Sequence, residues 1–220
     1  MRLEARSRED RRHDGGYYER PRFEIIDAAK RSGMHGSVLD IGCAAGITGQ
    51  VLIDRQIASR VVGIESNATV AALAKTRLSA VIVGDATNEG VIPAEPFDGL
   101  ILADVLEHQT DPARLLKIAT THLVPAAKII ISVPNVRHFR ILVALGLRNR
   151  WDYTDEGVCD RTHVHFFTSN TIVELVEQCG LRVEFACGLL TYRGALLARA
   201  FPPLTSLLAT QILVGCVTEG

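Results

Sequence analysis

The sequence of 220 residues has few aromatic side chains and almost no net charge. Phenylalanine, tyrosine and tryptophan make up 5% of it, with a single tryptophan, and the formal net charge at pH 7 is −1. The chain as a whole therefore does not attract polyanions such as nucleic acid or an anionic membrane. A basic surface has to be local, and a nucleic-acid partner is not expected.

Paired cysteines and a secretory leader are also absent. The five cysteines, an odd number, form no C-x-x-C pair and lie in apolar surroundings, which favours a reducing compartment. Residues 1–16 carry charges of both signs and no apolar segment, unlike a signal peptide. We expect a cytoplasmic protein in which residues 1–16 form a mobile N-terminal arm.

One long uncharged run, residues 200–218, approaches the length of a membrane span. Pro202 and Pro203 interrupt it, and Thr205, Ser206, Thr210 and Gln211 make it partly polar. A short helix followed by a strand over 211–217 explains this run better than a membrane helix does. We expect no transmembrane span, although contact with a membrane surface stays open.

Short runs rich in valine and isoleucine alternate with helical patterns along most of the chain. This order is typical of an α/β fold with parallel strands joined by helices. We predict a single domain over 17–220 with an insertion at about 137–168 on the substrate side. The predicted strands are 37–41, 60–64, 80–83, 97–102, 128–133, 181–187 and 211–217, and the predicted helices between the first five are 47–56, 67–77 and 111–123.

A glycine turn and three acids fall at the ends of the predicted strands. Gly42 and Gly46 follow the first strand, Glu65 ends the second, and Asp85 and Asp104 follow the third and fourth. In an open parallel sheet ligands bind at the carboxyl ends of the strands, where the strand order reverses. A carboxylate at the end of the second strand can accept both hydroxyls of a ribose, so the sequence predicts a nucleotide site.

A dinucleotide is the main rival ligand, but the glycine spacing fits it poorly. The pattern G-x-G-x-x-G would need glycines at 44 and 47 when it starts at Gly42, and these positions hold Ala44 and Ile47. Shifted to start at residue 44, the pattern finds its second and third glycines at Gly46 and Gly49, but its first position is Ala44. The sequence therefore does not favour a dinucleotide.

The segments VLDIGCAAG, VVGIES, VGDA and FDGLILADVLEHQTDP, in this order, resemble the class I S-adenosylmethionine-dependent methyltransferases. The resemblance covers about residues 17–187 and is greatest to the small-molecule group that includes the ubiquinone-type O-methyltransferases. It implies a Rossmann-like sheet of seven mostly parallel strands with helices on both faces and the last strand antiparallel. It also implies S-adenosylmethionine as cofactor.

The family motifs place the cofactor on the glycine turn and on the strand ends. Ala44 stands where the family usually has glycine, which we expect to be tolerated if its φ is negative. The implied cofactor-binding residues are Tyr18, Asp40, Gly42, Cys43, Ala44, Gly46, Glu65, Ser66, Asp85, Ala86, Ala103 and Asp104.

A hydroxyl acceptor must lose its proton when it accepts a methyl group, so a general base or a metal ion should lie beside the methyl group. His108, His163 and His165 are the candidate catalytic bases. Asp104, Glu107 and His108 would share one face of a helical turn, and with His163, or alternatively His165, they could bind a divalent ion such as Mg²⁺. Positioning of the two reactants without a base is the remaining alternative.

Within the insertion, Arg137, Arg140, Trp151 and Tyr153 are the candidate substrate residues. Arginine binds phosphate or carboxylate and aromatic rings pack on sugars, which favours an acidic or phosphorylated small molecule. A solvated helix face explains the same basic residues equally well, and RNA binding is a weaker alternative.

We therefore predict an enzyme that transfers a methyl group from S-adenosylmethionine to a small molecule, with a hydroxyl on a sugar, a lipid or another metabolite favoured. A non-catalytic S-adenosylmethionine-binding partner or sensor is the competing hypothesis. A tRNA methyltransferase and a nicotinamide-dependent oxidoreductase follow. The sequence specifies neither the acceptor nor the oligomeric state.

Overall fold

The computed structural model describes residues 4–5, 20–190 and 205–219. The helices are α1 (Phe23–Ser32), α2 (Ile47–Asp54), α3 (Ala68–Ala74), α4 (Pro112–Thr120), α5 (Phe139–Arg148), α6 (Ser169–Gln178) and α7 (Thr205–Leu208), with a 3₁₀ turn at Leu106–His108. The strands are β1 (Glu4–Ala5), β2 (Ser37–Ile41), β3 (Arg60–Glu65), β4 (Ala80–Val83), β5 (Phe97–Ala103), β6 (Leu123–Pro134), β7 (Leu181–Leu190) and β8 (Ala209–Thr218).

All described strands form one sheet in the order β1-β7-β8-β6-β5-β2-β3-β4. The last strand, β8, is antiparallel to both of its neighbours, and the other pairs are parallel. The predicted seven-stranded, mostly parallel sheet with an antiparallel last strand is therefore confirmed. The two-residue β1 adds an eighth strand at the β7 edge, while most of the predicted mobile arm lies outside the described residues.

The strands alternate between two apolar layers because successive side chains point to opposite faces of a sheet. In β6, Ile129 and Ile131 pack in the layer beneath α4 and α6, whereas Ile130 packs in the layer beneath α1 and α2. Helices thus cover both faces, as expected. Burial on both faces explains why these strands are almost continuously apolar in sequence.

The strand order reverses between β2 and β5, which are neighbours in the sheet although two strands separate them in the chain. β3 and β4 extend the sheet on one side of this pair, and β6, β8 and β7 extend it on the other. The carboxyl ends of β2 and β5 therefore border a crevice.

The apolar run at 200–218 contains α7 and β8 within its described part, as the predicted helix and strand require. Among the residues that the structure describes, no helix has the length and apolar character needed to cross a membrane.

Candidate functional site

A cavity of about 300 Å³ opens at the carboxyl ends of β2, β3 and β5, where the strand order reverses. Its size falls at the lower end of the range for small-molecule sites. It is lined by Arg20, Arg22, Asp40, Gly42, Cys43, Ala44, Ile47, Thr48, Glu65, Ser66, Ile101, Ala103, Asp104, Val105, His108 and Gln109. We call it the cofactor cavity.

The glycine turn forms one wall of this cavity. The backbone N–H groups of Gly42 and Cys43 donate to the carbonyl of Ile64 at 2.8 and 3.2 Å, which fastens the turn to β3. A Cβ atom added to Gly42, whose φ is +74°, would lie 2.6 Å from Val105. Glycine is therefore needed at this position both for the backbone conformation and for the close approach.

Ala44 adopts a φ of +49°, so the condition under which alanine would be tolerated there without strain is not met. A side chain in the left-handed region is strained by roughly 1–2 kcal/mol. The turn holds this conformation because the N–H of Ala44 donates to Oε2 of Glu65 at 3.1 Å.

The Glu65 carboxylate also accepts from the N–H of Asn67 at 2.8 Å, through Oε1. Both carboxylate oxygens therefore accept a backbone N–H while the residue lines the cavity. Each oxygen has a further lone pair available for a ligand hydroxyl.

Asp40 is the buried acid of the cofactor cavity, with 3% of its surface exposed. Within the described part of the chain, no group donates a hydrogen bond to its carboxyl. Burial, and then the negative charge of Glu65, raise the pKa of Asp40 to about 7. A buried carboxyl without a partner is costly, so this residue is suited to bind a cationic group of a ligand.

Arg22 closes the cavity from the residue before α1. Its guanidinium donates to Oδ2 of Asp104 at 2.8 Å and to the side chains of Ser132 and Gln211 at 3.3 and 3.2 Å. Burial opposes its charged form, but the carboxylates of Asp104 and Glu24 raise the pKa of Arg22 overall. The Asp104 carboxylate also accepts from the Ser132 hydroxyl at 2.8 Å and from Nε2 of Gln211 at 2.9 Å.

A second cavity, of about 700 Å³, lies against the insertion. It shares Asp104 and His108 with the cofactor cavity. The remaining lining residues are Glu107, Pro134, Asp155, Glu156, Gly157, Val158, Asp160, Arg161, Thr162, His163, Thr210 and Gln211. We call it the acceptor cavity.

Glu107, His108 and His163 form a cluster between this cavity and the core. They offer ligand atoms within 4.8 Å of one another. Glu107 is 1% exposed, and neither of its carboxylate oxygens has a hydrogen-bond partner among the described atoms. Burial, and then the charge of Asp104, raise the pKa of Glu107 well above its usual value.

His108 is oriented by the insertion. Its Nδ1 lies 3.3 Å from the carbonyl of Thr162, whose hydroxyl donates to Asp160 at 2.6 Å. This arrangement assigns the ring proton to Nδ1 and leaves Nε2 as an acceptor. Partial burial, and then the neighbouring His163, lower the pKa of His108.

The structure brings His163 next to His108, with ring centroids 4.7 Å apart, but it places His165 elsewhere. His163 is buried, with Nδ1 at 3.0 Å from the carbonyl of Val158, and it lines the acceptor cavity. His165 lines neither cavity, because its Nε2 lies 3.2 Å from the carbonyl of Thr110. The predicted metal set is divided as well, since Asp104 is engaged by Arg22 and lies outside the three-residue cluster.

Eight of the implied cofactor residues line the cofactor cavity: Asp40, Gly42, Cys43, Ala44, Glu65, Ser66, Ala103 and Asp104. Gly46 faces α3 instead, where an added Cβ would lie 3.1 Å from Ala74. Asp85 and Ala86 lie outside the cavity, and the Asp85 carboxylate accepts from the N–H and hydroxyl of Thr87 at 2.8 and 2.7 Å. Tyr18 lies outside the described residues.

The four candidate substrate residues line neither cavity. Arg137 donates to the hydroxyl of Ser206, and Arg140 lies on α5. The Trp151 ring packs edge-on against Phe166 at a centroid distance of 5.1 Å, and Tyr153 is half exposed. Their role in substrate binding stays a prediction.

Sequence reasoning missed Arg22, Ser132 and Gln211 as members of the site. No motif surrounds any of them. The one available signal was the position of Arg22 immediately before the amphipathic run that forms α1.

A family model described as a methyltransferase domain matches residues 12–185. The chain is 28% identical over 160 residues to the ubiquinone biosynthesis O-methyltransferase of Pseudoalteromonas translucida (strain TAC 125), which is 69% of this chain and 65% of that protein. It is also 32% identical over 98 residues to the trans-aconitate 2-methyltransferase of Azoarcus sp. (strain BH72). That match covers 44% of this chain and 39% of the relative. The chain thus spans less than two thirds of these two curated relatives.

Among solved structures, a S-adenosylmethionine-dependent methyltransferase from Archaeoglobus fulgidus superimposes with a TM-score of 0.61. The match covers 91% of this chain and 96% of the other at 17% sequence identity. At this identity the likeness shows the fold.

Proposed function

Because the chain belongs to the methyltransferase-domain family, we propose that it transfers a methyl group from S-adenosylmethionine to a hydroxyl of a small molecule. The family match also confirms the class I methyltransferase resemblance of the sequence motifs. The proposal rests on one observation: the cofactor and acceptor cavities meet at Asp104 and His108. A group transferred between two bound molecules has to pass at such a junction.

The cofactor cavity suits a ligand that carries both signs of charge. Asp40 and Glu65 are available for an ammonium group and for ribose hydroxyls, and Arg20 and Arg22 add positive charge to the same wall, which attracts a carboxylate. S-Adenosylmethionine has these groups, and when bound it supplies a methyl group on a positively charged sulfur. Asp40, Gly42, Ala44 and Glu65 would hold it.

His108 is the proposed base. Because its pKa is lowered, the imidazole is neutral near pH 7, and Nε2 can take the proton of an acceptor hydroxyl as the new oxygen–carbon bond forms. Asp160 and Thr162 position the ring through their hydrogen bonds. Asp104 cannot replace it as the base, since Arg22, Ser132 and Gln211 occupy its oxygens.

The acceptor cavity favours an uncharged acceptor over an anionic one. Glu156 and Asp160 contribute carboxylates to its wall, and Arg161 pairs with Asp155 at 3.2 Å. The hydrogen bond from the Thr162 hydroxyl lowers the pKa of Asp160, so this residue stays charged at neutral pH. A phosphorylated acceptor would meet these charges unfavourably.

The same acids support a second candidate, transfer to an amine. A carboxylate-lined cavity attracts a cationic amine, which loses its proton before it is methylated. An amine would depend less on His108 than a hydroxyl does, because a neutral amine is already a nucleophile.

Glu107, His108 and His163 can also act as ligands of a divalent ion, since the two orphaned oxygens of Glu107 lie beside two imidazoles. A bound ion would lower the pKa of an acceptor hydroxyl. Activity that disappears in chelator and returns with Mg²⁺ supports this arrangement. Full activity in excess chelator eliminates it.

The test is formation of S-adenosylhomocysteine from a panel of hydroxyl and amine acceptors by the wild-type protein, His108→Asn and His165→Asn. We expect kcat with hydroxyl acceptors to fall about 10²–10⁴-fold in His108→Asn, because the base is lost. His165→Asn is the matched control and should retain activity, since this ring contacts neither cavity.

Calorimetric titration should show the wild-type affinity for S-adenosylmethionine in His165→Asn and measurable binding in His108→Asn, so that lost turnover is distinguished from lost binding. Binding without product from any acceptor would favour the sensor hypothesis. Binding of a nicotinamide nucleotide without binding of S-adenosylmethionine would favour the oxidoreductase hypothesis.

A further inference from the structure

Helix α5 is the one described helix of more than one turn in which no residue is buried. Its large apolar side chains face solvent, with 83% of the Leu147 surface exposed, 50% of Leu145 and 44% of Leu142. Exposed apolar groups in this concentration indicate an interaction surface rather than ordinary scatter.

Three apolar side chains of α5 lie on one side of the helix, and Leu147 borders the side that carries Arg140. Phe139, Leu142 and Val143 are spaced i, i+3 and i+4, which places them on one side of a helix. Arg140 and Arg148, eight residues apart, form a stripe on a neighbouring side, and Arg137 precedes Arg140 by three residues. This pattern of apolar residues beside a row of arginines is typical of helices that lie in the plane of a membrane surface.

The charge of the segment is of one sign. Residues 112–151 contain no aspartate or glutamate, so α5 carries its arginines without a neighbouring acid in sequence. Asp152 is the first acid that follows, and it pairs with Arg150 at 2.8 Å. Within the described part of the chain, Arg140 and Arg148 have no acidic partner.

We propose that α5 binds the surface of an anionic lipid membrane. The arginine stripe meets the negative headgroups, while Phe139, Leu142 and Leu147 enter the boundary between headgroups and acyl chains. RNA fits less well, because it offers no partner for the aliphatic side chains. The segment at 191–204 fits less well as a cover for α5, because it contains Arg193 and Arg199 and no acid.

The placement of α5 is compatible with a working enzyme. The helix follows β6 through Asn135, whose Nδ2 donates to the carbonyls of Ser206 and Ala209 at 2.8 Å. β6 ends at Pro134, a wall residue of the acceptor cavity. Membrane binding would thus hold the acceptor cavity near the lipid surface, and the proposal does not depend on which group is methylated.

The test is flotation of the full chain with phosphatidylcholine vesicles that contain or lack phosphatidylglycerol. We expect binding to the vesicles with phosphatidylglycerol only, and its loss at high salt. Arg140→Gln with Arg148→Gln should weaken binding about 25-fold, at about fivefold for each arginine. Leu142→Gln with Leu147→Gln should weaken it at least about tenfold, because the apolar contact is lost.

Two matched controls keep the test specific. Leu73→Gln changes a leucine of α3 that is 43% exposed, and Arg114→Gln changes an exposed arginine of α4. Both variants should float like the wild type. Absence of binding to either vesicle, or binding that the α5 variants leave unchanged, would overturn the proposal.

Three further outcomes would assign the face to another occupant. A melting temperature that falls more in the leucine pair than in Leu73→Gln shows that the protein itself covers the face. Conversion of a dimer to a monomer by the leucine pair, without vesicle binding, shows a second copy of the chain. A gel shift with tRNA that the arginine pair abolishes, without vesicle binding, shows RNA.

Discussion

The cofactor and acceptor cavities each contain one buried acid whose pKa is raised, yet the two acids are placed by different kinds of structure. Asp40 lies in β2, a central strand that two parallel neighbours fix in register. Glu107 lies in a 3₁₀ turn, and its backbone carbonyl accepts from the N–H groups of Val164 and His165 in the insertion. The regular sheet determines the first cavity, whereas a long connection completes the second.

Because of this difference, the residues of the two cavities are not equally free to change in sequence. A residue at a strand end keeps its place as long as the sheet folds, so the position of the cofactor cavity is set by the fold. The wall of the acceptor cavity comes mostly from residues 155–163, which have no regular structure beyond turns and an isolated bridge. Loops of this kind can change their sequence without unfolding the core, so they are suited to set acceptor specificity.

Arg22→Gln should have the largest effect, because Arg22 links both cavities through Asp104. Its removal leaves a largely buried carboxylate without its cation, so we expect the free energy of unfolding to fall by about 3 kcal/mol. Urea denaturation measures this change. Arg60→Gln, which removes an exposed pair with Glu95, is the control and should cost about 1 kcal/mol or less.

An equal loss in the two variants would show that the Arg22 network is a surface feature and that the cavities are independent. A loss of activity without any loss of stability would instead make Arg22 a ligand-binding residue alone.

Asp40 gives the next largest effect, on cofactor binding as a function of pH. With a pKa of about 7 in the free protein, its carboxyl is mostly charged at pH 8 and mostly protonated at pH 6. The affinity for S-adenosylmethionine should therefore fall about tenfold over this interval, because protonation competes with the ammonium group of the ligand. Calorimetric titration at both pH values measures it.

Asp40→Asn should bind more weakly at pH 8 and lose most of this pH dependence. The folding stability of the free protein depends on pH in the opposite direction to the cofactor affinity. Because the pKa of Asp40 is raised from 3.8 to about 7 on folding, the unfolding free energy should decrease as the pH rises from about 4 to about 7 and then level off. A wild-type affinity that is constant between pH 6 and 8 would contradict the assignment of Asp40.

The contrast between regular strand ends and an irregular connection also explains how much of the site could be predicted from the sequence. The strands and the reversal point follow from periodicity, and Asp40, Gly42 and Glu65 follow from their positions at strand ends. Arg22 could not be predicted, since its partner Asp104 is 82 residues away and no local pattern joins them. The acceptor wall could not be predicted either, because irregular backbone gives no periodic signal that indicates which side chains face inward.

Ala44→Gly should increase stability, by about 1 kcal/mol. Glycine removes the strain of a left-handed alanine, roughly 1–2 kcal/mol, and returns part of the gain through the greater freedom of the unfolded chain. Thermal denaturation measures the change. Ala45→Gly, at a buried neighbour without a positive φ, should be destabilising. If both variants lose stability, the assignment of a strained left-handed conformation to Ala44 is wrong.

Glu107→Gln should have the smallest effect on stability. It tests whether the buried acid of the acceptor cavity is uncharged or is compensated by a cation. Burial, and then the charge of Asp104, raise the pKa of Glu107 and favour its uncharged form, which the amide of glutamine resembles in shape and charge. We expect the unfolding free energy to change by about 0.5 kcal/mol or less, against a much larger loss in Asp104→Asn, which removes the partner of Arg22. A loss of several kcal/mol in Glu107→Gln would mean that the carboxylate is charged and compensated in the protein. If that loss also appears in the wild type on addition of chelator, the compensating group is a metal ion, and the acceptor cavity then depends on an ion that the cofactor cavity does not need.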